Sequence, residues 1–231
     1  MNNKVACFIL SYEITKGMKS FGPLGLLKAN SSSKELILCQ IDSLNQLFSN
    51  PDIYIVSGFG SDKIYKKIPS AIKRIFNTEH ETKNHGYAFR LLLSKIKDLQ
   101  YSGCFIMNGG ILLGNINKNQ KFPQNSSWIL SKKNKKSSLV KTKFMGPIMN
   151  DKGKLDYIFY DIGEHSWCDT VYLCRKDLLK LSVDSFCDNM FLFEIINKSI
   201  ANNNIEYDQV VVPNDSVIMI TGIKDKHKIK V

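Results

Sequence analysis

Residues 34–64, KELILCQIDSLNQLFSNPDIYIVSGFGSDKI, combine a helical pattern, a strand pattern and a glycine turn in direct succession. Apolar residues at helical spacing form one face of the first part: Ile37, Ile41, Leu44 and Phe48. Asn50-Pro51 ends this helix, and the apolar run at residues 53–57 predicts a fully buried strand. Residues 58–61 then turn the chain into another helix. A helix, a buried strand and a second helix in this order indicate a parallel α/β sheet.

Strands and helices also alternate on both sides of this segment. Apolar runs predict strands at residues 4–11, 72–77 and 103–108, and helical spacing predicts a helix at residues 88–99. Ser32 and Glu35 have the spacing of a capping box at the start of the first helix. The buried strands lack polar alternation, so we expect a mostly parallel central sheet with helices on both faces.

The second half of the chain has shorter strand patterns separated by turns. Strands are predicted at residues 128–130, 138–144, 157–161, 170–174, 205–212 and 216–221, and a helix near residues 188–202. The sequence has no internal repeat and no linker. We therefore expect one domain, 1–231, in which residues 1–115 form a nucleotide-binding-like half and residues 116–231 extend the same sheet as a mixed, strand-rich half. Ligands of such sheets bind at the carboxyl ends of the strands, here at Ser11, Ser57-Gly58 and residues 108–110.

Composition narrows the class of protein. The six cysteines have no C-x-x-C pair and no matching histidine spacing, so we expect reduced core thiols and no zinc site. The first apolar run, residues 5–10, is too short for a signal peptide or a membrane span. We expect a cytoplasmic protein, or a virion component if the chain is viral, with no membrane partner.

The formal net charge of +11 raises the question of a nucleic-acid partner. One local cluster contains Lys132, Lys133, Lys135 and Lys136. Aromatic residues do not alternate with these lysines as they would on a base-stacking surface. We interpret the cluster as a solvated basic face, and contact with nucleic acid or an acidic partner stays open as the alternative.

Several of these segments resemble the sugar-nucleotide and phosphocholine nucleotidyltransferases. Residues 34–64 are similar to a family segment in which a helix reading QI-x-x-L precedes I-x-I-V-T-G-Y-x-S-x-K-I. Residues 75–92, IFNTEHETKNHGYAFRLL, resemble its N-x-x-Y-x-x-T-N-N loop and following helix. Residues 104–110, CFIMNGG, stand where the family has a strand ending in Gly-Asp or Ala-Asp. The resemblance covers roughly residues 4–115 and implies a Rossmann-like nucleotide-diphospho-sugar transferase fold.

A second resemblance concerns chemistry rather than architecture. NHGYAF at residues 84–89, followed by FIMNGG at residues 105–110, also looks like the inverting glycosyltransferases, which share this fold. The long interval between Leu10 and Ile53 and the GFGSDKI turn favour the nucleotidyltransferases.

The nucleotidyltransferase resemblance implies a glycine-rich phosphate loop and a basic residue directly after the first strand. Here residues 11–30, SYEITKGMKSFGPLGLLKAN, occupy that place, without the first two glycines and with the negative charge of Glu13. Lys19 and Lys28 stand nearest to the expected basic positions. Vestigial nucleotide binding is assigned by this resemblance to Lys19, Lys28, Ser57, Gly58, Asn84 and Asn108.

The resemblance also implies two magnesium-binding aspartates, and both are replaced. Gly110, or at best Gly109, stands at the first position, and Thr221 or Gly222 at the second. Neither glycine nor threonine replaces a carboxylate as a magnesium ligand. We therefore expect no catalytic residue and no metal, and we interpret His80 and His85 as loop residues.

Two hypotheses follow from these losses. The first is a non-catalytic nucleotidyltransferase-like protein that acts as a binding or assembly module, possibly a viral structural one, with protein partners and no cofactor. The alternative is an active, divergent nucleotidyltransferase or glycosyltransferase that uses a nucleoside triphosphate or nucleotide sugar. That enzyme would need magnesium held by a displaced carboxylate such as Asp161 or Asp169.

Overall fold

The computed structural model describes residues 4–14, 18–28, 34–97, 99–114, 116, 122–134, 144–161 and 164–229. The strands are β1 Val5–Ser11, β2 Asp52–Ser57, β3 Lys73–Phe76, β4 Gly103–Asn108, β5 Ile111–Leu113, β6 Ser127–Lys133, β7 Phe144–Met149, β8 Leu155–Asp161, β9 His165–Cys174, β10 Tyr207–Val212 and β11 Val217–Met219. The α-helices are α1 Leu36–Leu47, α2 Ser61–Tyr65, α3 His85–Ile96, α4 Arg175–Leu178 and α5 Leu192–Asn203. Short 3-10 helices lie at Leu24–Leu26, Val183–Ser185 and Ile223–Lys228.

A seven-stranded sheet organises the molecule, with strand order β10-β6-β9-β4-β1-β2-β3. The neighbours β4, β1, β2 and β3 are parallel, as are β6 and β10, and β9 runs antiparallel between β4 and β6. The prediction of a mostly parallel α/β sheet is confirmed. Within the described residues, no helix has both the length and the apolar character that a bilayer span requires.

Alternate residues of β1 face opposite sides of the sheet, which places an apolar layer on each face. Phe8 packs in the layer that contains α3 and α5, while Ile9 packs in the layer that contains α1 and α2. Both residues are fully buried. Helices therefore cover both faces of the sheet.

The second half extends the sheet only in part. Strands β6, β9 and β10 join it, whereas β7 pairs with β8 and β5 pairs with β11 in separate two-stranded sheets. Pro147 lies within β7 and has no backbone N–H to donate, which suits a two-stranded edge better than a central position. The expectation that all of residues 116–231 extend one sheet is therefore corrected for β7, β8 and β11. The single-domain assignment stays a prediction.

Two predicted helix starts are also corrected. Glu35 is itself the N-cap of α1 and makes no side-chain cap hydrogen bond, while Ser32 lies outside the described residues. The N–H of Leu36 instead donates to Leu27 O at 2.8 Å, so the preceding loop satisfies this helix end. The helix expected from residue 188 begins at Leu192, because residues 187–190 are used to pack against the start of α3.

Candidate functional site

Two adjoining cavities open at the carboxyl ends of β1 and β4, where the sequence places the ligand site. The large cavity has a volume of about 590 Å³ and is lined by residues that include Tyr12, Glu13, Lys19, His80, Asn84 and Phe191. The small cavity has a volume of about 330 Å³ and is lined by residues that include Glu13, Asn108, Gly110, Asp169 and Thr221. Glu13 borders both cavities and therefore marks their junction.

The Gly109-Gly110 turn after β4 is closed on both sides by backbone atoms. A Cβ atom at Gly109 would lie 2.6 Å from Leu10 O, and a Cβ atom at Gly110 would lie 2.5 Å from Ile220 O. The N–H of Gly109 donates to Leu10 O at 2.9 Å, and the N–H of Ile220 donates to Gly110 O at 2.7 Å. Glycine is required at both positions because any larger residue would have to displace the backbone.

Gln40 on α1 holds the same turn from the neighbouring face. Its Nε2 donates to Gly109 O at 2.9 Å and to Ile111 O at 2.7 Å, and the side chain is fully buried. Nearby, the Ser43 hydroxyl donates to Leu113 O at 2.5 Å. In the sequence, Gln40 stands out only as part of the QI-x-x-L pattern. Its contact with the turn depends on residues about 70 positions away, which the pattern alone does not reveal.

Glu13 and Asp169 are the carboxylates of the small cavity. Burial raises the pKa of Asp169 to about 6. Burial also raises the pKa of Glu13, and the negative charge of Asp169 adds to this rise. Asp169 adopts a left-handed backbone conformation, with φ of 50°, which is uncommon outside glycine, asparagine and aspartate. The structure thus brings together in one cavity two acids that are 156 residues apart in sequence.

His85 contacts Glu13, although we predicted it as a loop residue. It is the first residue of α3 and is buried, because the N–H groups of Asn84 and Gly86 donate to Asp188 O and Met190 O and so dock the helix start. His85 Nε2 lies 3.4 Å from Glu13 Oε1 and 3.3 Å from Asn108 Nδ2. Burial lowers the pKa of His85 to about 4, so the ring is neutral at neutral pH.

Solved structures with a similar fold include a CTP:phosphocholine cytidylyltransferase from Streptococcus pneumoniae, with a TM-score of 0.76 and 16% identity over 97% of this chain and 96% of that one. A nucleoside-diphosphate-sugar pyrophosphorylase from Vibrio cholerae has a TM-score of 0.68 and 12% identity over 96% and 100% of the two chains. The inositol-1-phosphate CTP transferase from T. maritima has a TM-score of 0.65 and 12% identity over 96% and 91%. This chain has a nucleotidyltransferase-like fold. Comparisons with models of protein families and with curated proteins give no match.

The residues at the two predicted magnesium positions of this nucleotidyltransferase-like fold do not fit the ion. Gly110 has no side chain. Thr221 donates from N and Oγ1 to Asp225 Oδ2, at 2.8 and 2.7 Å. Hydrogen bonds from Lys228 and then from Thr221 lower the pKa of Asp225 to about 2. In the described part of the chain, no group of three or more histidine, cysteine, aspartate or glutamate side chains is placed to hold a metal.

The predicted binding residues divide into those that line the two cavities and those that do not. Lys19 and Asn84 line the large cavity and Asn108 lines the small one, and Asn84 Nδ2 also donates to Asn189 O at 2.9 Å. Ser57 and Gly58 belong to the second group, which lines neither cavity. Ser57 is fully buried, and Gly58 is packed so closely against His80 that a Cβ atom at Gly58 would lie 2.4 Å from His80 Cβ.

Other predicted cations and acids lie apart from both cavities or outside the described residues. Lys28 forms an ion pair with Glu35 at 3.6 Å. In the basic cluster, Lys132 Nζ donates to Val217 O at 3.1 Å and Lys133 is exposed. Lys135, Lys136 and the side chain of Asp161 lie outside the part of the chain that the structure describes.

Proposed function

We propose that this nucleotidyltransferase-like protein binds a ligand in the cleft and does not catalyse metal-dependent nucleotidyl transfer. The observation that carries the proposal is the backbone closure of the Gly109-Gly110 turn, which leaves no space for a side chain where the fold family is expected to place its first metal-binding acid. A binding or assembly module with protein partners, in the cytoplasm or in a virion, is the role that we propose for it. Function is carried by sites and not by folds, so loss of a site does not require loss of the fold.

Electrostatics support the same proposal. A nucleoside triphosphate needs positive charge around its phosphates. At the junction of the cavities it would instead meet Glu13 and Asp169, whose charges disfavour an anion. Lys28 pairs with Glu35, a carboxylate that also lies 3.6 Å from Lys67, and neither lysine lines the two cavities. Lys19 lines the large cavity and is the predicted cation that remains close to a ligand there.

One observation favours the alternative of an active, divergent transferase. Asp169 and Glu13 line the same small cavity as Gly110 and Thr221, the two positions where metal-binding acids were expected. In such an enzyme these two carboxylates would hold a displaced magnesium ion, which would neutralise charge on the reacting phosphates. The acids that remain would then have taken over the function of those that are lost.

Thermal unfolding of the full chain with CTP, UTP and GTP, each with and without Mg²⁺ or Mn²⁺, tests the proposal. A ligand at 100 times its Kd stabilises the folded state by about 2.7 kcal/mol. We expect no metal-dependent stabilisation and no release of pyrophosphate with candidate phosphorylated acceptors. A metal-dependent rise in Tm with one nucleotide, abolished in Asp169→Asn, would establish the alternative instead.

A further inference from the structure

The small cavity is acidic in a chain that carries a formal net charge of +11. Of the residues that the structure describes, those lining this cavity include Glu13 and Asp169 and no lysine, arginine or histidine. Within the described ranges, neither carboxylate forms an ion pair with a lysine or an arginine. The only cation-forming side chain that pairs with Glu13 there is His85, which is neutral at neutral pH. Neither acid is therefore directly paired with a lysine or an arginine in the described part of the protein, and two lysines of the cleft, Lys19 and Lys83, line the large cavity.

Three aromatic rings follow one another beside these acids. The ring centroids of Tyr12 and His85 are 6.0 Å apart, and those of His85 and Phe191 are 6.2 Å apart. Tyr12 and Phe191 both line the large cavity, and Phe191 is 47% exposed. Ring faces attract cations, and the attraction is strongest where water is partly excluded.

Two buried polar atoms beside the cavities have no partner among the described residues. The first is the hydroxyl of Tyr12, a residue that is 1% exposed and lines the large cavity. The second is Nδ1 of His85. Buried polar side-chain atoms in native structures normally have hydrogen-bond partners, and each exception needs an explanation. A bound ligand that donates hydrogen bonds would supply the partner that the Tyr12 oxygen lacks.

We propose that the junction of the two cavities binds an organic cation with N–H groups, an alkylammonium or guanidinium, between Glu13 and Asp169. The N–H groups donate to the two carboxylates and to the Tyr12 oxygen, and the charge lies against the exposed ring of Phe191. Within the described residues, no group of three histidine, cysteine, aspartate or glutamate side chains is placed to hold a metal, so we infer an organic cation rather than a metal ion. This inference rests on the proposed function, since it names the class of ligand for the same cleft.

The test is calorimetric titration of the full chain with agmatine, putrescine and tetramethylammonium at pH 7.5 and low salt. We expect saturable binding of agmatine or putrescine and at least about tenfold weaker binding of tetramethylammonium, because it has no N–H to donate. Glu13→Gln and Asp169→Asn should each weaken binding by about tenfold or more. Glu81→Gln is the matched control, because Glu81 is an exposed acid of the large cavity and its loss removes the same charge away from the acid pair.

Four results would overturn the inference: no saturable binding of either amine, equal binding of tetramethylammonium, equal losses in Glu81→Gln and Asp169→Asn, or saturable binding of Mn²⁺ alone at the acid pair. Binding of an arginine-containing peptide without binding of free agmatine would replace the small ligand with a protein side chain. Circular dichroism of each variant shows whether it is still folded, so that a loss of binding is assigned to the site only where the secondary structure is unchanged. Failure here leaves the absence of nucleotidyl transfer untouched, because that proposal is decided by nucleotide and metal titrations.

Discussion

The carbonyl oxygen of Ile220 lies 2.5 Å from the place that a Cβ atom at Gly110 would occupy. The same two residues are joined by the hydrogen bond from Ile220 N to Gly110 O at 2.7 Å. The segment after β11 is thus packed directly on the turn after β4. An acid at residue 110 and the present path of residue 220 exclude each other.

Gly110→Ala should therefore destabilise the protein by about 1–3 kcal/mol, because the added methyl group must displace backbone. Gly110→Asp should lose at least as much and should not create a metal site. Urea unfolding measures the loss. The control is Gly222→Ala, since a Cβ atom at Gly222 meets nothing within 4 Å and its φ of 164° is ordinary extended backbone. Equal stability of Gly110→Ala and Gly222→Ala would contradict the closure of the turn.

Local patterns predicted the elements around the site but not its chemistry. The apolar run of β4 and the helical spacing of α1 each lie within one short segment of the chain, so both elements were predicted from sequence. The position of Glu13 and Asp169 in the same cavity depends on the place of β9 between β4 and β6, which no local pattern specifies. The burial of His85 likewise depends on contacts with residues 187–190, about 100 positions further along the chain.

Gln40→Leu should destabilise the protein by about 2–4 kcal/mol. The substitution introduces an apolar side chain of similar size and leaves the carbonyls of Gly109 and Ile111 without their buried donor. Each lost partner costs about 1–3 kcal/mol. Chemical unfolding measures the change. The neighbouring Gln46→Leu, at an exposed position of α1, is the control and should change stability little. Similar stabilities for the two variants would contradict the conclusion that Gln40 stabilises the turn.

Asn197→Ala should detach β8 from α5. The Asn197 side chain accepts from Ile158 N at 2.7 Å and donates to Ile158 O at 2.9 Å, so one amide satisfies both backbone groups of a strand residue. Loss of both bonds should cost about 1–3 kcal/mol. The measurement is the hydrogen-exchange rate of backbone amides. The substitution should increase this rate more at Ile158 than at Ile55 in the centre of the sheet. An equal increase in exchange rate at both amides would indicate global destabilisation and would contradict a local role of the Asn197 hydrogen bonds.

Asp169→Asn should change how stability depends on pH. In the folded protein burial raises the Asp169 pKa from its ordinary value of 3.8 to about 6, so the folded state holds this proton more tightly than the unfolded chain. Wild-type stability from this group is therefore greatest at low pH and falls as the pH rises from about 4 to about 6, by about 1–3 kcal/mol. Asparagine does not ionise and tolerates the left-handed backbone, so the variant lacks this loss.

The variant should thus gain stability relative to wild type across that pH range and keep the gain above it. Burial lowers the His85 pKa to about 4, which makes stability rise with pH between about 4 and 6.5 in both proteins. That contribution largely cancels in the difference between them. Glu13 adds to the effect, because removal of the Asp169 charge removes one cause of its raised pKa. Thermal unfolding of both proteins from pH 4 to pH 8 measures the difference, and parallel curves would show that Asp169 is not held in a buried, charge-disfavouring position.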